Sequence, residues 1–504
     1  MTKNSEVCVI SSDILDTTGK RQVNNKDDNP ATFESAVTET GFGKYNLLLI
    51  LVCLPATWAA VFETTTMSYI FAPAHCDLDL SLEDKGYLNS ITYAGMITSG
   101  PVWGFLFDTL GRKKLLILGF FADACFVVIS AFSQSIVPLM ICKFLGGLVV
   151  NGPFSGMRSY LSEFHSSKYR PKIQLTIGTM TAIGTIVLPI LAWGILTQSW
   201  EFSLFGGYLE MHSWNIYLLL CSLPGIIGGI VFLFLPESPK FLMTIGKNEM
   251  ALQIFRKVYR INTGKSEDMF PIKELVDEIT LNEGNKYGGN VTANRTKFQA
   301  VKEGWQQIKP LFHYPYLPKL ILVCVIQMFI IQSVNTLRLW LPQIFQAVND
   351  YQQYHNGTST SLCVMLEDLK PRESVIDCSV NRDSSSVYIN AIIVASVTSI
   401  GYTLTGTIIT LVGKKKILVT LGLLAGGVGF SLYLAQDNIT TTVLSSTYVA
   451  LTSICSNNTY NIPGYDSWMN WSYDREYAIP CTFTSWMWRP LHFYLLFNDC
   501  STFT

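Results

Sequence analysis

The sequence predicts an all-α integral membrane protein made of two helical halves, and three observations carry that expectation. Hydrophobic residues make up 49% of the 504 residues and charged residues only 14%, against roughly 25% in soluble domains. Apolar stretches long enough to cross a bilayer recur along the chain. Lysine and arginine gather in every second connection between those stretches.

A hydrocarbon core about 30 Å thick needs roughly 20 apolar residues per helix. By that measure spans occupy Tyr45–Ala72, Gly86–Phe107, Leu115–Phe132, Ile136–Met157, Ile173–Thr197 and Trp214–Leu235. Leu320–Trp340, Val387–Val412 and Ile417–Ala435 follow, and Thr440–Cys455, short and rich in Thr and Ser, is a tenth. The division predicts an N-terminal tail (1–44), a six-helix half (45–235), a central loop (236–319), an incomplete second half (320–455) and an atypical polar, aromatic tail (456–504). In the central loop Ala251, Ile254, Phe255, Val258 and Tyr259 keep helical spacing, as do Ile272, Leu275, Val276 and Ile279.

Basic residues set orientation. Arg112, Lys113 and Lys114 follow the second span, Lys168, Arg170 and Lys172 the fourth, and Lys414, Lys415 and Lys416 the eighth. These connections share a side with the polar N-terminal tail, which has no secretory signal. The N-terminus is therefore expected in the cytoplasm. Near-neutral net charge (−1) argues against a nucleic-acid partner, and no G-x4-G-K-[ST] phosphate cradle is present, so a nucleotide is not expected. No constellation for catalysis, metal or another cofactor stands out, and the twelve cysteines are scattered.

The most informative motif is the hairpin Gly104-Phe-Leu-Phe-Asp108-Thr-Leu-Gly111-Arg112-Lys113-Lys114. Its G-x3-D-x2-G-R-K spacing resembles the loop between helices two and three of major facilitator superfamily transporters. Phe33-Glu-Ser, Ser159-Tyr-Leu-Ser-Glu163-Phe, Met211-His-Ser-Trp214, Pro236-Glu237-Ser238-Pro239 and Leu339-Trp-Leu-Pro342 narrow the resemblance to the synaptic vesicle glycoprotein 2 family, over residues 33–454. The resemblance implies the facilitator fold, with nine or ten of twelve expected helices in this chain, which therefore looks truncated after Cys455. It implies a secondary transporter of small organic solutes, possibly coupled to a proton or cation, embedded in the plasma membrane or a secretory vesicle membrane. A non-transporting glycoprotein that binds partners or modulates secretion, and an inactive truncated product, stay open beside it.

Within that frame the hairpin (Gly104, Asp108, Gly111, Arg112, Lys113), Glu163, Arg170 and Pro236-Glu237-Ser238-Pro239 are expected to form a conformational lock, the alternative being an ordinary positive-inside turn and a simple helix end. Asp108 is expected to pair with Arg112 or a helix N-terminus, and Glu237 to reach Arg112 or Arg170. Gly100 and Gly104 give a small-xxx-small face for close helix approach. Inside the bilayer a carboxylate costs about 2.5–3.5 kcal/mol unless partnered. Asp123 lies about 12 Å past Leu115, and Lys143, entering from the other side, is its expected partner, either in a structural ion pair (Asp123 being otherwise protonated) or as part of a substrate or ion pathway. Glu63 is expected in the far half of span one, as an interfacial carboxylate or a cation or proton site. Gln327, Gln332 and Asn335 either line a polar pathway or bond helix to helix. Asn356-Gly-Thr358 is a glycosylation sequon, and Cys363 and Cys378 share its loop as a possible disulfide.

Overall fold

A computed structural model describes residues 30–459 apart from 76, 205, 207–208, 277–312, 315–316, 356–359, 368–384 and 413. The first span is one run in three pieces: α2 (Lys44–Val52), α3 (Leu54–Thr65) and α4 (Met67–Ile70). The first break comes where Pro55, unable to donate a backbone N–H, enters the opening turn of α3. The sixth span is divided the same way, into α9 (Ser213–Cys221) and α10 (Leu223–Phe234), at Pro224. Between them stand α5 (Leu82–Leu110), α6 (Arg112–Ala131), α7 (Ile136–Glu163) and α8 (Arg170–Leu196). A short antiparallel hairpin, β1 (Glu201–Leu204) with β2 (Leu209–His212), precedes α9 and pairs Glu201 with His212.

Polar side chains pin these helices where backbone carbonyls face a neighbour. The Trp58 indole donates to the Met180 carbonyl at 3.0 Å, Trp103 to Leu148 at 2.8 Å and Asn151 to Met96 at 3.0 Å. At Gly100, where close approach is expected, a Cβ would lie 3.4 Å from the Asn151 amide of α7, and the approach is tighter still at Gly95. A Cβ on Gly95 or Gly147 would collide with the backbone of the facing helix in the α5–α7 pair. Outward-facing residues are apolar: Leu118 is 64% and Phe234 84% exposed, as expected where the surroundings are lipid.

At the end bearing the basic connections, α1 (Phe33–Glu39), α11 (Pro239–Thr244) and α12 (Asn248–Thr263) form a small satellite domain. Ala251, Phe255 and Tyr259 bury one face of α12 against Ala36, Val37 and Met243. The helical spacing at Ile272–Val276 gives no helix. That strand-like segment instead bonds the N-terminal arm, Ala31 N–H to Glu274 O at 2.9 Å and Val276 N–H to Ala31 O at 3.0 Å. Ile279 lies outside the described residues.

The second half contributes α13 (Leu317–Tyr354), α14 (Leu362–Glu367), α15 (Ser385–Val412), α16 (Lys414–Ser431) and α17 (Asn438–Thr459). Pro342, two residues past the expected end of the seventh span at Trp340, is carried inside α13. The apolar run Leu341, Ile344, Phe345 and Val348 continues to be buried beyond it, which outweighs one lost backbone bond. The Thr- and Ser-rich tenth stretch is helical because its hydroxyls satisfy themselves locally. Thr441 and Thr442 donate to the carbonyls four residues back at 2.8 Å, and Thr452 to Tyr448 O at 2.6 Å. Among the described residues seven helical stretches are long and apolar enough to cross a membrane. The apolar clusters that join the halves lie toward the end away from the basic connections. Tyr388 and Ala391 pack with Tyr69 and Leu188, and Leu339, Trp340 and Ile344 pack with Ala60, Tyr93 and Met96.

Candidate functional site

Three ionisable side chains meet in the interior of the first half. Glu63 lies seven residues before the end of α4, Lys143 seven after the start of α7 and Asp123 eight before the end of α6, so each stands about 10–12 Å from the same end of the bundle. Lys143 Nζ donates to Glu63 Oε2 at 2.8 Å, and both side chains are 1% exposed. The expected Asp123–Lys143 pair is therefore replaced by a Glu63–Lys143 pair. Gly146, on the next turn after Lys143, makes this possible, because a Cβ there would collide with Glu63 Oε1. Asp123 feels the charges of both Glu63 and Lys143. Its Oδ1 is buried, with no hydrogen-bond partner among the described residues. Its Oδ2 lies 3.5 Å from where a Cβ on Gly225 would sit, so a glycine of α10 gives this carboxylate its space as well. The layer holds two acids and one base, all sealed from solvent.

A second constellation sits at the basic end. Gly111, at φ +91°, turns the chain between α5 and α6, and a Cβ there would come within 2.9 Å of the Phe241 ring and 3.0 Å of Glu237. The exposed N–H groups of the new helix then meet a carboxylate: Arg112 and Lys113 N–H donate to Glu237 Oε1 at 3.1 and 2.9 Å. Glu237 thus reaches Arg112 as a helix cap, through the backbone, where the helix dipole also favours negative charge. The Arg112 guanidinium, buried, turns to Glu163 and Ser159, and the hydroxyl of Ser238, completely buried, donates to the other oxygen of Glu163. Ser238 also caps α11 through Phe241 N–H at 3.1 Å, with Pro239 in its first turn. Pro236 accepts the Tyr160 hydroxyl at 2.7 Å. Lys113 Nζ bonds the Leu233 carbonyl at 2.9 Å.

Arg170 does not meet Glu237. Its guanidinium pairs with Glu34 at 2.6 Å and bonds the carbonyls of Ser162 and His165, while Glu34 also accepts Ser167 N–H at 2.5 Å. Asn262 of α12 completes this junction. Its amide donates to Thr40 O, Gly41 O and Asn46 Oδ1 at 2.8–3.1 Å and accepts Tyr45 N–H at 2.9 Å. Asn46 in turn donates to Phe164 O at 2.9 Å. At the opposite end Asp77 accepts the Trp214 indole at 2.8 Å and lies 3.2 Å from His212.

The remaining expected residues are dispersed. Gly104 is helical in α5, as is Asp108, whose side chain lies outside the described residues, as does that of Gln327. Gln332 is half-buried on α13, and Asn335 donates to its own helix at Ile331 O, 3.0 Å. Asn356 and Cys378 lie outside the described residues, and Cys363 is placed only as part of the α14 backbone. The sequence motifs include Glu34 and Ser159 without pointing to their contacts, and Asn46, Asp77 and Asn262 carry no motif signal. Sequence reasoning passed over Arg338 and Asn89, whose signal was a polar side chain within an apolar stretch.

The model of the Major Facilitator Superfamily matches residues 53–462. Synaptic vesicle glycoprotein 2B of Rattus norvegicus is 28% identical over 330 residues, 63% of this chain and 48% of that protein. Synaptic vesicle glycoprotein 2C of Mus musculus is 26% identical over 326 residues, 62% and 44% of the two chains. The chain thus spans about half the length of the curated relatives it matches. Among solved structures, the partially occluded inward-open xylose transporter XylE from E. coli superposes with TM-score 0.58 at 15% identity, covering 91% of this chain and 97% of that one. A bacterial homologue of the human lysosomal transporter Spinster, inward-facing and unoccupied, gives 0.52 at 11% identity over 89% and 82%. With the family's model matching most of its length and the fold shared with these transporters, the chain belongs to the Major Facilitator Superfamily.

Proposed function

We propose that the protein is a secondary transporter that carries a small organic solute by alternating access and couples it to a proton at the Glu63–Lys143–Asp123 layer. The observation that carries this reading is the stoichiometry of the layer. One lysine neutralises one carboxylate, and the second, with an unpartnered oxygen, needs a proton or cation to stay neutral in a low-dielectric interior. In this state Lys143 holds Glu63 and the proton resides on Asp123. Passing Lys143 to Asp123 transfers the need for the proton to Glu63, which lies in the helix run that contacts the second half. The N-terminus and the basic end face the cytoplasm in this reading. The apolar seals joining the halves then lie on the outer side, which corresponds to an inward-facing state.

Proteoliposomes holding the purified chain test this with a panel of radiolabelled sugars, organic acids and organic cations under an inward proton gradient. Uptake above that of empty liposomes, lost in Asp123→Asn and Glu63→Gln, is the expected result. Uptake no greater than in empty liposomes across the panel would reject transport.

The similarity to synaptic vesicle glycoproteins favours a second reading, a vesicle or plasma-membrane glycoprotein that binds partners without moving solute. Glycosylation at Asn356 together with a failed uptake panel is its signature.

A further inference from the structure

Among the described residues, the seam between the halves holds buried polar atoms without a hydrogen-bond partner. Asn89, seven residues into α5, is 6% exposed, and neither its Nδ2 nor its Oδ1 has a hydrogen-bond partner. At about 10 Å from the helix start it stands level with the Glu63–Lys143 layer. Across the seam, α13 carries Arg338 with a buried, unpartnered Nε. Its charge acts on Tyr69 of α4, which also neighbours Tyr388 of α15. The chain on either side of Asn89 reaches this seam. Leu88 beside it packs in the cluster of Tyr69 and Tyr388, and Tyr93, one turn on, packs against Leu339 and Trp340, which follow Arg338.

A guanidinium with a buried N–H that meets no acceptor favours a negatively charged partner, and among the described residues no carboxylate lies within ion-pair distance of it. The five N–H donors of a guanidinium match the two oxygens of a carboxylate. Asn89 adds one amide donor for that group and one acceptor for a hydroxyl or N–H on the solute. The surrounding rings of Tyr69, Tyr93 and Tyr388 suit a compact apolar body. A neutral polyol would leave the arginine unpaired, and an organic cation would be repelled by it.

We propose that Arg338 and Asn89 form the recognition subsite for a small organic carboxylate at the seam between the two halves. The proposal rests on the transporter reading and names the solute class for it. One carboxylate on Arg338 and one proton on the acidic layer make the carried pair electroneutral, so uptake is driven by a pH gradient and indifferent to membrane potential.

Binding to the purified full chain in nanodiscs, followed by ligand-induced thermal stabilisation, tests the subsite without requiring transport. The probes are acetate, lactate and benzoate, with benzamide and benzylammonium as neutral and cationic counterparts of benzoate. At least one carboxylate is expected to stabilise the protein while benzamide and benzylammonium do not. Arg338→Gln should weaken that binding by at least about 30-fold, since truncating one member of a buried charge pair removes 2–5 kcal/mol. Arg338→Lys keeps the charge without the fork and should fall between. Asn89→Asp, which sets a second anion in the site, should also abolish binding. No stabilisation by any of the three carboxylates overturns the proposal, as does equal stabilisation by benzamide or binding unchanged in Arg338→Gln. Should Arg338→Gln fail to fold, Asn89→Asp decides by the same readout. Carboxylate binding without uptake leaves the subsite standing and removes only the transporter reading.

Discussion

Substituting Lys143 should harm this protein more than substituting either acid it serves. Lys143 and Glu63 are each 1% exposed and meet at 2.8 Å, with Asp123 within electrostatic reach. Lys143→Met removes the base of the layer and leaves the Glu63 carboxylate buried beside Asp123 without its counter-charge, an uncompensated arrangement that costs about 3–5 kcal/mol. Glu63→Gln is milder, because Lys143 can turn to Asp123 and the amide retains a hydrogen bond, so about 1–2 kcal/mol is expected. Asp123→Asn removes a carboxylate that has an unpartnered oxygen and leaves the ion pair whole, so its effect on stability stays below about 1 kcal/mol. Combining Lys143→Met with Glu63→Gln removes the ion pair as a unit and should recover part of the single-lysine loss, giving a coupling energy of about 2 kcal/mol in the double-mutant cycle. Reversible unfolding in mixed micelles, followed by tryptophan fluorescence, supplies all four free energies. An equal or greater loss in Glu63→Gln than in Lys143→Met would refute the claim that one lysine serves both acids. Strict additivity in the double mutant would refute the pair itself.

Three further perturbations probe the basic end. Gly111→Ala places a Cβ at φ +91° within 3.0 Å of both Phe241 and Glu237, so a loss of about 1–3 kcal/mol is expected, and Phe241→Ala should restore only part of it because the backbone strain stays; full rescue in the micelle unfolding assay would contradict this. Asn262→Ala removes the amide that ties α12 to Thr40, Gly41 and Asn46, and should release the N-terminal arm to limited proteolysis near residue 41 while the transmembrane bundle keeps its helicity by circular dichroism. His165 lies beyond the end of α7, buried, with Nδ1 on the Leu161 carbonyl at 2.6 Å and Nε2 without a partner among the described residues. Burial, aided by the nearby Arg170 charge, lowers its pKa below the usual 6.5. The unfolded chain then binds the proton more readily, so stability falls as pH drops through 6.5 and continues to fall until the folded-state value is reached, by at most about 1.4 kcal/mol per pH unit. His165→Gln should flatten that part of the pH–stability curve, and an unchanged slope would show that another group titrates there.

The spans were legible because a bilayer enforces a length and forbids unpaired backbone, so an apolar count alone locates Leu115–Phe132 to within a few residues of α6. Pro342 misled because a proline weakens a helix locally, whereas burial of Phe345 and Val348 beyond it is decided by the whole bundle. The hairpin was legible as a motif, yet its contacts were not. Gly111 and Glu237 are 126 residues apart in sequence and touch only because the sixth span returns the chain beside the second connection. The same holds for Glu34 and Arg170, which look like unrelated surface charges along the chain and meet across α1 and α8.

The exchange of partners at Lys143 shows why charge pairing inside a bundle resists reading from depth alone. Glu63, Asp123 and Lys143 are nearly level along the bundle axis, so depth permits either acid to be the partner. What selects Glu63 is the absence of a side chain at Gly146, one turn along α7 from Lys143, where any Cβ would occupy the place of the Glu63 carboxylate. A glycine carries no charge and leaves no mark in a search for ionisable residues, yet it decides which of two acids receives the base. Gly146→Ala should therefore push Glu63 off Lys143 and favour Asp123, so that Asp123→Asn, mild in the native protein, becomes severe in that background. If Asp123→Asn remains mild beside Gly146→Ala, the glycine does not set the pairing.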